Sequence, residues 1–136
     1  MVKENLTEIT ATIRKTLQPR KEVIFAYVFG SRATGVQREG SDIDVAVYLN
    51  PAKKQEFFEI RLKLLEVLSR ALPKEADILV LNTASPFMKY VVLQEGKLVL
   101  ERNPDARLDF ELKTLNEYFD YKPILEQYHN RLRTAA

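Results

Sequence analysis

No cysteine occurs in this chain, which excludes disulfides and thiolate metal sites and suits a reducing cytosol. Histidine is nearly as scarce. The single one, His129, leaves no redundancy for a histidine-rich metal centre or a Ser-His-Asp triad, and it falls in a stretch that reads as helical surface. No apolar run approaches the roughly 18 residues of a membrane span, and Met1-Val2-Lys3-Glu4-Asn5 lacks the apolar core of a secretory signal. A soluble, cytoplasmic protein is therefore expected. The formal charge is only +2, with both signs interspersed, so the clustered basic face needed for direct nucleic-acid binding is not expected either. Neither an internal repeat nor a low-complexity linker divides the sequence. What remains, 136 residues of which 46% are hydrophobic, fits one domain with a core of its own.

The informative stretch lies between Val23 and Leu49. Val23 to Phe29 is a nearly unbroken run of β-branched and aromatic residues, as in a central strand covered on both faces. Gly30 permits a sharp turn and close approach of a ligand, and Ser31 is suited to cap a following helix whose amides face an anion. After a loop comes a second strand whose alternation puts Asp42, Asp44, Ala46 and Tyr48 on one face and Ile43, Val45, Val47 and Leu49 on the other. Two carboxylates on one face repel each other unless cations lie between them. Hard oxygen ligands beside a phosphate-binding turn point to Mg²⁺, which binds through one or two carboxylates plus substrate phosphates. Asp-x-Asp alone would be an ordinary solvated strand start, and Gly-Ser alone is commoner still. Their spacing on a strand-turn-loop-strand frame is the specific feature.

Gly30-Ser31, Gly35, Ser41-Asp42-Ile43-Asp44 and the following apolar strand resemble the signature of the DNA polymerase β-like nucleotidyltransferase superfamily. Within it, the chain is similar to the minimal nucleotidyltransferase antitoxins of the MNT/HEPN toxin-antitoxin systems. The resemblance implies an α/β fold, a small mixed β-sheet backed by helices, in a single domain over 1–136 with a helical tail from about 104. It also implies AMP transfer from ATP, with Gly30, Ser31 and the adjacent Arg32 at the nucleotide. Asp42 and Asp44 would hold Mg²⁺, two ions in all, and Asp77 would be the third carboxylate on the neighbouring strand, as metal ligand and base. The implied partner is a HEPN-family ribonuclease toxin, held in a hetero-oligomer and disarmed by modification of a tyrosine hydroxyl. Two other readings share these residues: transfer to a small acceptor such as an antibiotic, or neutralisation by binding alone.

Outside the motif, Leu6, Ile9, Ile13 and Leu17 mark a helix from Val2 to Gln18, and Phe57, Ile60, Leu64, Leu65, Val67 and Leu68 mark another from Lys53 to Leu72. Ala76 to Leu81 reads as a strand, Ser85-Pro86 as the start of a helix to Glu95, and Lys97 to Glu101 as a fourth strand. From Pro104 a helix is expected with Leu108, Leu112, Leu115 and Phe119 as its apolar side, interrupted near Pro123 and resumed over Ile124–Leu132. Tyr118-Phe119-Asp120-Tyr121-Lys122-Pro123 is similar to a stretch near the end of those antitoxins. With Tyr128 it offers an aromatic surface for a partner, although tyrosines beside a kink also serve in packing. A chain with so little beyond one domain leaves little to enclose a small acceptor, so a protein acceptor is expected.

Overall fold

Val23–Phe29 (β1) lies inside a four-stranded sheet, hydrogen-bonded on both edges, as its two-faced apolar composition requires. The computed structural model describes residues 6–30 and 42–134. β1 pairs antiparallel with Ile43–Leu49 (β2) on one side and with Lys97–Glu101 (β4) on the other, and β2 pairs parallel with Ala76–Val80 (β3). The order β3-β2-β1-β4 is a mixed sheet. The parallel pair demands a crossover, and the helix Phe57–Ala71 (α2) supplies it.

One face of the sheet is covered by α2 and by Leu6–Leu17 (α1). Ile9, Ile13 and Leu17 from α1, Leu64 and Leu68 from α2, and Ile43, Val45, Val47 and Leu49 from β2 form a single buried aliphatic cluster. The alternation expected for β2 is thus observed. In β1 it slips: a bulge between Val23 and Phe25 turns both Ile24 and Phe25 to the other face. There Phe25 stacks on Tyr48 with ring centroids 4.7 Å apart, and Phe110 closes over both.

Phe110 belongs to the helix Pro104–Thr134 (α4), which crosses this second face beside the helix Pro86–Glu95 (α3). The Tyr27 hydroxyl donates to Glu111 Oε1 at 2.7 Å, Arg107 Nη1 donates to the same oxygen at 2.9 Å, and Arg107 also faces Glu101 at 3.3 Å. These bonds fasten α4 across β1 and β4. Burial first, then the Glu111 carboxylate, pushes the Tyr27 phenol far above its ordinary pKa, so it stays a donor. On the opposite side Arg102 Nε donates to Val23 O at 2.8 Å while its Nη2 reaches Leu17 O at 3.0 Å, tying the carboxyl end of α1 to the start of β1.

Ser85 caps α3 as expected, its hydroxyl accepting from the Met88 amide at 3.2 Å. Three expectations need correction. The stretch from Lys53 does not begin as α-helix: Pro51–Glu56 is 3-10, started by Pro51 and by the Asn50 side chain accepting from the Ala52 amide at 3.0 Å, and α2 begins at Phe57. Pro123 does not interrupt α4, which runs on as helix through it. The carbonyl that Pro123 leaves without an amide partner is that of Phe119, an exposed residue, so the loss falls where solvent has access. Finally, Leu108, Leu112 and Phe119 are more than half exposed, whereas Phe110 and Thr114 are the buried residues of α4 among those described. One large ring and the Arg107–Glu111 pair fill the underside of α4, so Leu108 and Leu112 face outward, while Leu115 is half-buried.

Among the tail aromatics, Tyr118 stacks on Tyr90 of α3 with centroids 3.6 Å apart, which is a packing role, while Tyr128 and His129 are exposed. Among the described residues no helix is long and apolar enough to cross a membrane.

Candidate active site

Three strands bring their ends together at one edge of the second face. Phe29, the last residue of β1, is in register with Asp44 of β2, and Asp44 is in register with Asp77 of β3. Neighbouring strands lie about 4.8 Å apart, so the turn after β1, Asp44 and Asp77 stand in a row. Asp42 sits one step before β2 and is exposed.

Gly30 adopts φ +79°, a left-handed conformation natural to glycine, and a Cβ there would collide with the Asp44 carboxylate. Glycine is thus required twice, by the turn and by the approach of Asp44. Ser31 and Arg32 lie outside the described residues, as do Gly35 and Ser41.

Burial raises the Asp44 pKa above its ordinary value, and the charges of Asp77 and then Asp42 raise it further. Asp44 is therefore repelled by both neighbours, as sequence alternation led us to expect for Asp42 and Asp44. Among the described residues no three acidic or imidazole side chains already converge as a metal cage. Asp77 leans instead on Arg61 of α2, with Nη2 3.5 Å from Oδ1, and remains largely exposed. The donor set nevertheless fits a divalent cation: hard carboxylate oxygens in adjacent register, one of them destabilised as an anion until positive charge arrives.

Sequence reasoning did not single out Arg61 or the cavity beside it. The cavity, of about 830 Å³, runs from Asp44 and Asp77 between α2 and the segment linking β3 to α3, with Lys54, Phe57, Phe58, Arg61, Leu79 and Met88 in its walls. Arg61 Nε donates to the Ile78 carbonyl at 2.9 Å, which fixes the guanidinium against β3. A signal existed. Arg61 falls between Phe57 and Leu64 on the inward stripe of α2, where a charge is out of place unless it has a partner.

Residues 11–105 match the family model described as polymerase beta, nucleotidyltransferase. The chain is 31% identical over 114 residues to the protein adenylyltransferase MntA of Shewanella oneidensis, covering 84% of this chain and 77% of that one. Among solved structures, it is similar to a toxin-antitoxin crystal structure with AMP-PNP, at 28% identity and TM-score 0.68 over 88% of this chain and 98% of that chain. It also resembles a chain in the complex of tri-AMPylated Shewanella oneidensis HEPN toxin with MNT antitoxin, at 25% identity and TM-score 0.64 over 91% of this chain and 98% of the other. The family match spans all four strands of the sheet: the chain belongs to the polymerase β nucleotidyltransferase family.

Proposed function

We propose that this chain is an antitoxin that transfers AMP from ATP to a tyrosine hydroxyl of a HEPN-family toxin and thereby neutralises it. The observation that carries the chemistry is the register of Asp44 between the Gly30 turn and Asp77, with Asp44 disfavoured as an anion by burial and then by its two acidic neighbours. The partner is supported by the relatives, one named a protein adenylyltransferase and one solved as an MNT antitoxin with its AMPylated HEPN toxin.

In this reading the turn at Gly30, with Ser31 and Arg32 after it, would hold the triphosphate, and Asp42, Asp44 and Asp77 would hold two Mg²⁺ ions. Such ions neutralise phosphate charge and stabilise the attacking and leaving oxygens of an in-line displacement. Asp77, on the flank away from the turn, accepts the proton of the acceptor hydroxyl. The tyrosine oxygen forms a bond to the α-phosphorus, the α–β phosphoanhydride bond breaks, and pyrophosphate leaves. Gly30 has a second role here: without a side chain it lets the Asp44 carboxylate lie against the turn.

The test is intact-mass measurement of the HEPN partner after incubation with the chain, ATP and Mg²⁺. The partner should gain the mass of AMP on a tyrosine and lose its toxicity, and Asp42→Asn should abolish both. Equal neutralisation by Asp42→Asn with no added mass would make binding alone the function.

A further inference from the structure

Farther along the second face, apart from the carboxylate row, lies a separate hollow of about 380 Å³. Tyr48 lines it, four residues past Asp44 on the same side of β2 and so roughly 13 Å along the strand from the row. Three elements each bring one lysine to this hollow: Lys54 from the 3-10 segment Pro51–Glu56, Lys89 from α3 and Lys113 from α4. Glu117 is the one acidic residue among the described lining, so three lysines less one glutamate leave it a net charge of +2. Lys89 is the most enclosed of the three, its side chain 14% exposed. Its ammonium meets the two Glu117 oxygens at 3.1 and 3.3 Å, which leaves a third N–H for another acceptor. Lys113 reaches Asp109, outside the lining, at 3.0 Å, and Lys54 has no ion pair among the described residues. Cations gathered from three elements with one anion between them repel unless a further anion joins them.

We propose that this hollow is a second ligand site, which takes a nucleoside monophosphate and regulates the chain, separate from the nucleotide consumed at the carboxylate row. A phosphate monoester carries a charge of about −1.5 to −2 at pH 7, which matches the excess of the lining. Beside the lysines stand the rings of Phe57, Phe110 and Tyr48, a platform for a planar base, as small-molecule sites commonly provide. Tyr48 is clamped between Phe25 and Phe110, and its hydroxyl, with no hydrogen bond among the described residues, is available to a sugar, as is that of Thr83. Asn82 takes no part, because its amide is engaged on both sides by the Leu49 backbone. A bare inorganic anion would leave the rings unused. The carboxylate row repels phosphate until metal arrives, whereas this hollow is cationic as it stands. Lys54, Phe57 and Thr83 line both the hollow and the cavity at the carboxylates, so a ligand here abuts the catalytic groups and draws Lys54 away from them. The binding site itself stands independently of the transfer reaction; only its regulatory effect rests on it.

The experiment titrates the full chain with AMP, inorganic phosphate and adenosine by calorimetry in a chelator, so that the carboxylate row holds no metal. AMP should bind at one equivalent, about tenfold or more tighter than either phosphate or adenosine. Lys54→Ala and Lys113→Ala should each weaken AMP binding about fivefold. Both side chains are exposed, so Tm without ligand should move by no more than about 2 °C. Asp44→Asn should not weaken AMP binding. Absence of AMP binding, or phosphate bound as tightly as AMP, would overturn the assignment. So would AMP binding that is lost in Asp44→Asn and kept in both lysine variants, since the nucleotide would then lie at the Gly30 turn. With the HEPN toxin as acceptor, added AMP should lower kcat without raising the KM for ATP; a raised KM with kcat unchanged would overturn the regulatory role. Should the parent protein transfer nothing, the transfer reaction itself fails, and the titration still decides whether the hollow is a site.

Discussion

The two faces of the sheet are built to different ends. Under α1 and α2, the buried cluster from Ile9 to Leu100 is aliphatic throughout. The other face changes character along its length: rings and a hydrogen-bonded Tyr27–Glu111–Arg107 set at one end, a row of mutually repelling carboxylates at the other. β2 supplies both through simple alternation, Ile43, Val45, Val47 and Leu49 to one side and Asp44, Ala46 and Tyr48 to the other. A single strand therefore carries stability on one side and chemistry on the other. The aliphatic face offsets the electrostatic cost at the carboxylate end, and the two are separable by mutation.

Asp44→Asn should break the comparison hardest. Transfer should fall by several kcal/mol of barrier, roughly a thousandfold or more, because the proposed mechanism loses a charged metal ligand. Stability without metal should hold or rise. The folded state raises the Asp44 pKa above its ordinary value of 3.8, so folding binds this proton more tightly than the unfolded chain does. The resulting penalty is fully present above the raised pKa and fades as pH falls through it toward the unfolded value. Melting in a chelator should therefore show Asp44→Asn more stable than the parent near neutral pH, with the gap closing in acid. A variant less stable at neutral pH would mean that the carboxylate is structural.

Leu64→Ala is the converse. Leu64 is fully buried in the aliphatic cluster, and its truncation should cost about 2–5 kcal/mol by denaturant unfolding. Transfer per folded molecule should stay near the parent's, since Leu64 lies behind the sheet from the carboxylates. A fall in kcat at a temperature where the variant is fully folded would show that the two faces are coupled through β2.

Much of this division was legible in the sequence. The strand from Val23 to Phe29, its central place and the alternation of β2 follow from local residue pattern, and Lys97–Glu101 is a strand over the expected span. The adjacency of Asp77 and Asp44 was reached only through the family resemblance, because pairing between strands 33 residues apart leaves no local trace. Arg61 shows the same limit: its position on the stripe is local, but the partners that justify it, Ile78 and Asp77, come from another element. Periodicity also found an apolar face on α4 without its direction. Leu108 and Leu112 keep helical spacing yet face outward, because Phe110 alone reaches Phe25 and Tyr48 and the Tyr27–Glu111–Arg107 bonds fix the rotation of the helix. Ser31 and Arg32, the remaining nucleotide candidates, lie outside the described residues, so the argument for them is still the motif itself.

The smallest expected effect concerns the end of the second face remote from the carboxylates. Thr114 is 1% exposed and its hydroxyl has no hydrogen-bond partner among the described residues, although it lies one helical turn from Phe110 in the packed underside of α4. A buried hydroxyl without a partner has lost its hydration and gained nothing in exchange. Valine keeps the volume and the branching at Cβ while removing the polar atom, and its helix propensity is close to that of threonine. Thr114→Val should therefore stabilise the protein by about 1 kcal/mol, raising Tm by roughly 3–5 °C, with transfer unchanged. Such a gain would show that this end behaves as a second apolar core and that only the carboxylate end of the face is set aside for chemistry. A loss instead would mean that the hydroxyl is satisfied by water in the adjoining hollow of about 380 Å³ lined by Tyr48, Asn82 and Lys89, and that the polar character of this face extends along its whole length.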